Sequence, residues 1–92
     1  MPDTSIDISA VERLRQHMKL SQSDMATLFE VTRVTYYNWT RGKPVRPANA
    51  QRVRVVVRKL VAVVREGWPA PEVVTLPPKE RIRRLVALVN AS

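Results

Sequence analysis

Gln22 to Arg41, QSDMATLFEVTRVTYYNWTR, restricts this chain more than any other stretch: it reads as two short helices separated by only a tight turn. Ser21-Gln22-Ser23-Asp24 has the pattern of a capping box, in which the serine hydroxyl accepts an orphan backbone N–H and Asp24 reaches back to the cap. Met25, Ala26, Leu28 and Phe29 give the first helix its apolar face, and Ala26 is small where a second helix must cross closely. Glu30-Val31 makes the turn. Thr32 is placed to cap a second helix from Arg33 to Arg41, which Gly42 ends. On this second helix Tyr36 and Trp39, with Val31 just before it, fall on one side. Arg33, Val34, Tyr37, Asn38 and Arg41 fall on the other.

The remainder of the chain is also written for helices. Hydrophobic residues make up 45% of the 92, enough for a core, while Gly is scarce and strand-and-turn patterns are missing. Residues 1–8 are expected to form a flexible N-terminus, after which Ser9 would cap a helix from Ala10 to Met18 with Val11, Leu14 and Met18 inward. Residues 9–66 form the expected main domain. Within it Gly42 to Pro47 is a loop held open by two prolines, and Pro47 starts a long segment reaching Glu66. That segment carries seven valines, so a strand is the competing reading. Val53, Val56, Val57, Leu60, Val61 and Val64 nevertheless fit the helical template, and alternation fails at Lys59, so one helix or two in succession is expected. Residues 67–77 are a Pro-rich connector opening with Trp68. Residues 78–92 hold a last helix, Pro78 to Asn90, with Ile82, Leu85, Val86 and Val89 on one stripe. Two partners could cover this stripe, a second copy across a dimer interface or the chain's own domain.

Charge is unevenly placed. Residues 1–31 carry three basic and five acidic side chains, residues 32–68 nine and one, and residues 69–92 four and two, for a net +8. A solvated face normally mixes signs, so a polyanion is the expected partner. The basic segment lacks the Trp/Phe/Leu face of an interfacial membrane helix, and no apolar run is long enough to span a bilayer. With no Cys and no signal-like start, the expected setting is the cytoplasm of a bacterium or of a phage-infected one. Catalysis finds no support: there is one His, no Cys, and no paired carboxylates at a useful spacing. His17 has no metal-ligand neighbours and is expected at the surface, so neither a metal nor a cofactor is implied, and no small-molecule effector is evident.

Arg33 and Asn38 are the strongest candidates to read bases. Arginine matches guanine O6/N7 and asparagine matches adenine N6/N7 with two hydrogen bonds each. Val34 could pack on a thymine methyl. Tyr37 joins the base-reading set, with a phosphate contact as its alternative. Thr35 and Thr32 are candidate phosphate donors, Thr32 in addition to its cap, and Arg41 either joins them or caps the helix carbonyls. Arg52, Arg54, Arg58 and Arg65 read as a solvated helix face rather than a second DNA surface.

Leu20 to Pro47 resembles the DNA-binding domain of the Cro and lambdoid phage repressor family. The likeness rests on Leu20, Gln22, Ala26, Leu28, Val31, apolar residues at 36 and 39, and Gly42-Lys43 with Arg46-Pro47, and it extends over roughly residues 10 to 64. It departs from the family pattern at Glu30, where Gly is usual, at the bulky Tyr36, and at Thr40, which replaces an acidic residue. The resemblance implies an all-α, compact four- to five-helix repressor-like domain with a helix–turn–helix, plus the C-terminal helix. It further implies that Gln22 touches backbone phosphate and that Lys43 and Arg46 clamp the backbone. The expected function is a transcriptional regulator, a repressor acting as a homodimer on a pseudo-palindromic operator in double-stranded DNA. The alternative is an antitoxin-like module that represses its own operon and binds a partner protein through its C-terminal segment. RNA binding is a third reading, weakened by the lack of exposed aromatic residues beyond Tyr37.

Overall fold

A computed structural model describes residues 6–91, and no strand occurs among them. Six helices follow one another: α1 (Ile8–His17), α2 (Gln22–Phe29), α3 (Arg33–Thr40), α4 (Pro47–Arg65), α5 (Pro71–Val74) and α6 (Pro78–Ala91). The expectation of a flexible N-terminus falls, for residues 1–5, outside the described residues. The next three residues are structured: Ile6 packs against the core, Asp7 caps α1 and Ile8 begins it. The expected cap at Ser9 is therefore corrected. Asp7 accepts from the Ala10 N–H at 3.2 Å, and starting two residues earlier brings Ile8 against the core as well.

The capping box of α2 forms as its residues dictate. Asp24 N–H donates to Ser21 Oγ at 3.0 Å, and the Ser21 N–H donates back to Asp24 Oδ2 at 2.9 Å. Thr32 caps α3 by accepting from the Thr35 N–H at 3.1 Å. Helices α1 to α4 then all end in one way. Each is followed by a residue with positive φ (Lys19, Glu30, Gly42 and Gly67). The residue after it bonds back five positions: Leu20 to Arg15, Val31 to Ala26, Lys43 to Asn38 and Trp68 to Val63. This is the Schellman closure, which satisfies carbonyls that a helix end leaves orphaned. It also shows how the turn closes without glycine at position 30: Glu30 itself adopts φ 59 and ψ 41.

The core is built on the inner faces of these helices. Phe29, Tyr36 and Trp39 meet with ring centroids 6.0 to 6.3 Å apart, locking α2 onto α3. Helix α4 is a single unbroken helix of 19 residues. Its buried face is Ala50, Val53, Val56, Leu60 and Val63, slightly rotated from the expected stripe, with Val57, Val61 and Val64 only partly covered. Helix α6 packs on α4, and Val63 shares one buried core with Leu85 and Val89 of α6.

The connector is more than a spacer. Trp68 is buried and its Nε1–H donates to the Met18 carbonyl at 3.3 Å, tying the end of α4 to the end of α1. Val73, on the one-turn α5, is buried as well. Of the two readings open for the α6 stripe, the structure takes packing on its own domain. Leu85 and Val89 are buried within the chain and Ile82 and Val86 pack against the same core, so Leu85 and Val89 have no surface to offer a second copy.

Candidate nucleic-acid interface

Helix α3 is held from behind and open in front. Tyr36 and Trp39 are spent on the core, which fixes the helix's roll, and that roll turns Arg33, Val34, Tyr37 and Arg41 to the surface. Val34 is 68% exposed and presents its methyl groups to solvent beside Arg33. The Arg41 guanidinium lies 5.8 Å from the Tyr37 ring centroid, so the two side chains form one stacked unit. Asn38 is half-buried. Its backbone carbonyl accepts from the Arg41 and Lys43 N–H groups, and its side chain lines a cleft with Thr35, Lys43, Arg46 and Asn49. The structure thus brings Asn38 together with the loop cations as well as with the outward face of α3.

Thr32 and Thr35 sit at the N-terminal end of α3, with Thr32 Oγ1 donating to Thr35 Oγ1 at 2.9 Å. The Thr35 hydroxyl hydrogen is still available to an acceptor. Lys43 and Arg46 are exposed in the loop, and Arg46 precedes α4, whose first turn has no side-chain cap. Asn49, in that first turn, was not anticipated; its position two residues into a Pro-started helix after Arg46 is the signal that could have found it.

Gln22 is braced from the side. Its Nε2–H donates to Glu12 Oε1 at 3.2 Å, while Glu12 Oε2 accepts from the Tyr36 hydroxyl at 3.3 Å and from the Arg15 Nε–H. One carboxylate on α1 therefore joins α2 and α3. Burial pushes the Tyr36 hydroxyl well above its ordinary pKa, and the adjacent Glu12 carboxylate pushes it further, so it remains a donor. The Glu12–Arg15 pair is visible in the sequence as an i, i+3 spacing, whereas its links to Gln22 and Tyr36 span 10 and 24 residues and leave no local trace. Arg52 is not merely solvated: it pairs with Glu30 at 3.4 Å across the turn. His17 is exposed, as expected.

A family model described as helix–turn–helix matches residues 11–55, which takes in α1, the capped pair α2–α3 and the first half of α4. Residues 11–55 are a helix–turn–helix domain of the Cro/C1 type. Such a domain implies a DNA-binding transcriptional regulator, and its family is a non-enzymatic one. No curated protein and no solved structure gives a significant match to the chain. Among the described residues, no helix is long and apolar enough to cross a membrane. In this helix–turn–helix, α2 lies across the back of α3 and Gln22 opens α2.

Proposed function

We propose that the protein is a repressor that binds a pseudo-palindromic operator as a homodimer, each copy laying α3 in a major groove. The observation that carries this reading is the division of α3 into a sealed face, Tyr36 and Trp39, and an open face of Arg33, Val34 and Tyr37. An open face with a guanidinium, a small apolar group and a phenol matches the donors, acceptors and methyl groups of base edges. Arg33, Val34, Tyr37 and Asn38 read bases in this proposal. Gln22, Thr32, Thr35, Arg41, Lys43 and Arg46 hold phosphates, and Asn49 joins them from the cleft. The DNA-binding unit is residues 9–66, with α5 and α6 packed behind it.

The experiment is selection of bound sequences from a random duplex pool. A palindrome with half-sites ~10 bp apart, or a multiple, is the expected result. An enriched single site with no symmetry would overturn the homodimer, and enrichment of nothing would overturn base reading. The antitoxin-like alternative asks for a C-terminal segment free to take a partner. The burial of Leu85 and Val89 gives it little support.

A further inference from the structure

Among the described residues, four large apolar side chains are exposed: Val34, Tyr37, Val74 and Leu88. The first two lie on the open face of α3 and are accounted for by DNA. The other two lie far along the chain, and Leu88 lines a groove of about 480 Å³ between the end of α4, the Trp68 corner and α6. Val63, Trp68, Ala70 and Val73 form one wall, and Ala87 and Leu88 form the other. Val74 follows Val73 in the chain and is not among the residues that line the groove. The groove is apolar at its floor and carries two charges, Glu66 and Arg84, both exposed. Neither makes an ion pair with the other or with any described residue, although they share the groove.

We infer that this groove is the surface through which two copies of the chain join, with Leu88 of each copy seated in the other's groove and Arg84 of each facing Glu66 of the other. The inference rests on the homodimer proposed above and assigns it a place. Charge selects the occupant. A chain of net +8 repels its own copy over most of its surface, so self-association needs a patch where an acid and a base are both available. In a two-fold interface, residue i of one copy meets residue j of the other and j meets i, so a groove with one acid and one base closes two ion pairs at once. The apolar floor supplies the area that such rim pairs alone would not. The position also leaves the DNA face free, because α6 packs chiefly on α4, whereas α3 packs chiefly on α2 and α1.

The test is a charge swap read by sedimentation of the full chain over a concentration series without DNA. Glu66→Arg and Arg84→Glu should each weaken the dimer about tenfold or more, because each places like charges opposite one another twice. The double variant, Glu66→Arg with Arg84→Glu, should return to near the wild-type dissociation constant. Leu88→Lys should yield monomers with an unchanged helical spectrum, since that side chain is already 43% exposed. Single variants that dimerise like wild type, or a double variant as weak as the singles, would overturn the surface. A second titration, against an isolated half-site and a full palindrome, separates the two proposals. Single variants that keep half-site affinity but lose cooperativity on the palindrome support the surface. Unchanged cooperativity overturns the surface and leaves the operator reading intact. A swap that restores the dimer in a chain with no sequence preference supports the surface and sinks the operator reading.

Discussion

At the scale of single residues, conformation and charge carry separable consequences. Lys19 and Glu30 hold left-handed backbone that only glycine adopts without a steric cost. Glu30→Gly should therefore stabilise the fold by about 1 kcal/mol, raising the melting temperature by roughly 4–8 °C. The Arg52 pair lost in the change is exposed on both sides and contributes little. A lower melting temperature would show that this pair outweighs the backbone. Tyr36 has a pKa raised in the fold, so above about pH 10 the unfolded chain releases a proton that the folded chain keeps. Stability should be level below that pH on this group's account and fall above it, by at most about 1.4 kcal/mol per pH unit. Denaturant midpoints of wild type and Tyr36→Phe between pH 9 and 11 would test this, and equal slopes would reject it. In the DNA contacts, Arg33→Ala should cost on the order of 1–3 kcal/mol at the cognate site and relax preference at one base pair per half-site. Arg46→Ala should weaken cognate and scrambled duplexes alike. Both variants lose one positive charge, so a difference in specificity has to come from where each side chain points. Equal losses on all duplexes for Arg33→Ala would make it a phosphate contact.

At the scale of helices, what the sequence made legible was what depends on near neighbours. The Ser21–Asp24 box, the Thr32 cap and the 3.6-residue spacing of Val53, Val56 and Leu60 all act within a turn or two, and each appears in the structure. The start of α1 was misplaced by two residues: the cap is Asp7 and not Ser9, and Ile8, at the first helical position, packs against the core. The partner of α6 was open, because an apolar stripe states that it must be covered and not by what. The Trp68–Met18 hydrogen bond spans 50 residues and was beyond any pattern. This bond and the buried Leu85 make the C-terminal helices part of the fold's stability. Leu85→Ala should cost roughly 2–5 kcal/mol by urea unfolding. Truncation after Leu76, which removes α6, should lower stability and, with Arg84 and Leu88 gone, remove the proposed dimer surface as well. A truncated chain that melts like the full one would show that α6 is an appendage.

At the scale of the whole molecule, the candidate site was legible in its parts and only partly in its arrangement. Exposure of Arg33 and Val34 followed from burying Tyr36 and Trp39, but the gathering of Asn38 with Lys43, Arg46 and Asn49 depends on how the loop returns beneath α3. The molecule measures 42 × 25 × 20 Å along its principal axes. Reading helices ~34 Å apart need each α3 about 17 Å from the axis, within the long dimension of one copy. Charge then gives the last prediction. Arg33, Arg41, Lys43 and Arg46 are the cations that α3 and the loop after it bring to the proposed DNA face, and all are exposed. If three or four of them per copy neutralise phosphates, a dimer displaces about six to eight counterions, and log K should fall against log salt with a slope of roughly −5 to −7. Removing Arg46 from both copies should make that slope shallower by about 2, while removing Arg33 should change it less if that guanidinium lies on a base edge. Titrations of wild type and both variants at several salt concentrations measure these slopes directly. A slope near zero for wild type would mean that the basic surface beginning at Arg33 does not meet a phosphate backbone, and DNA binding through this face would have to be abandoned.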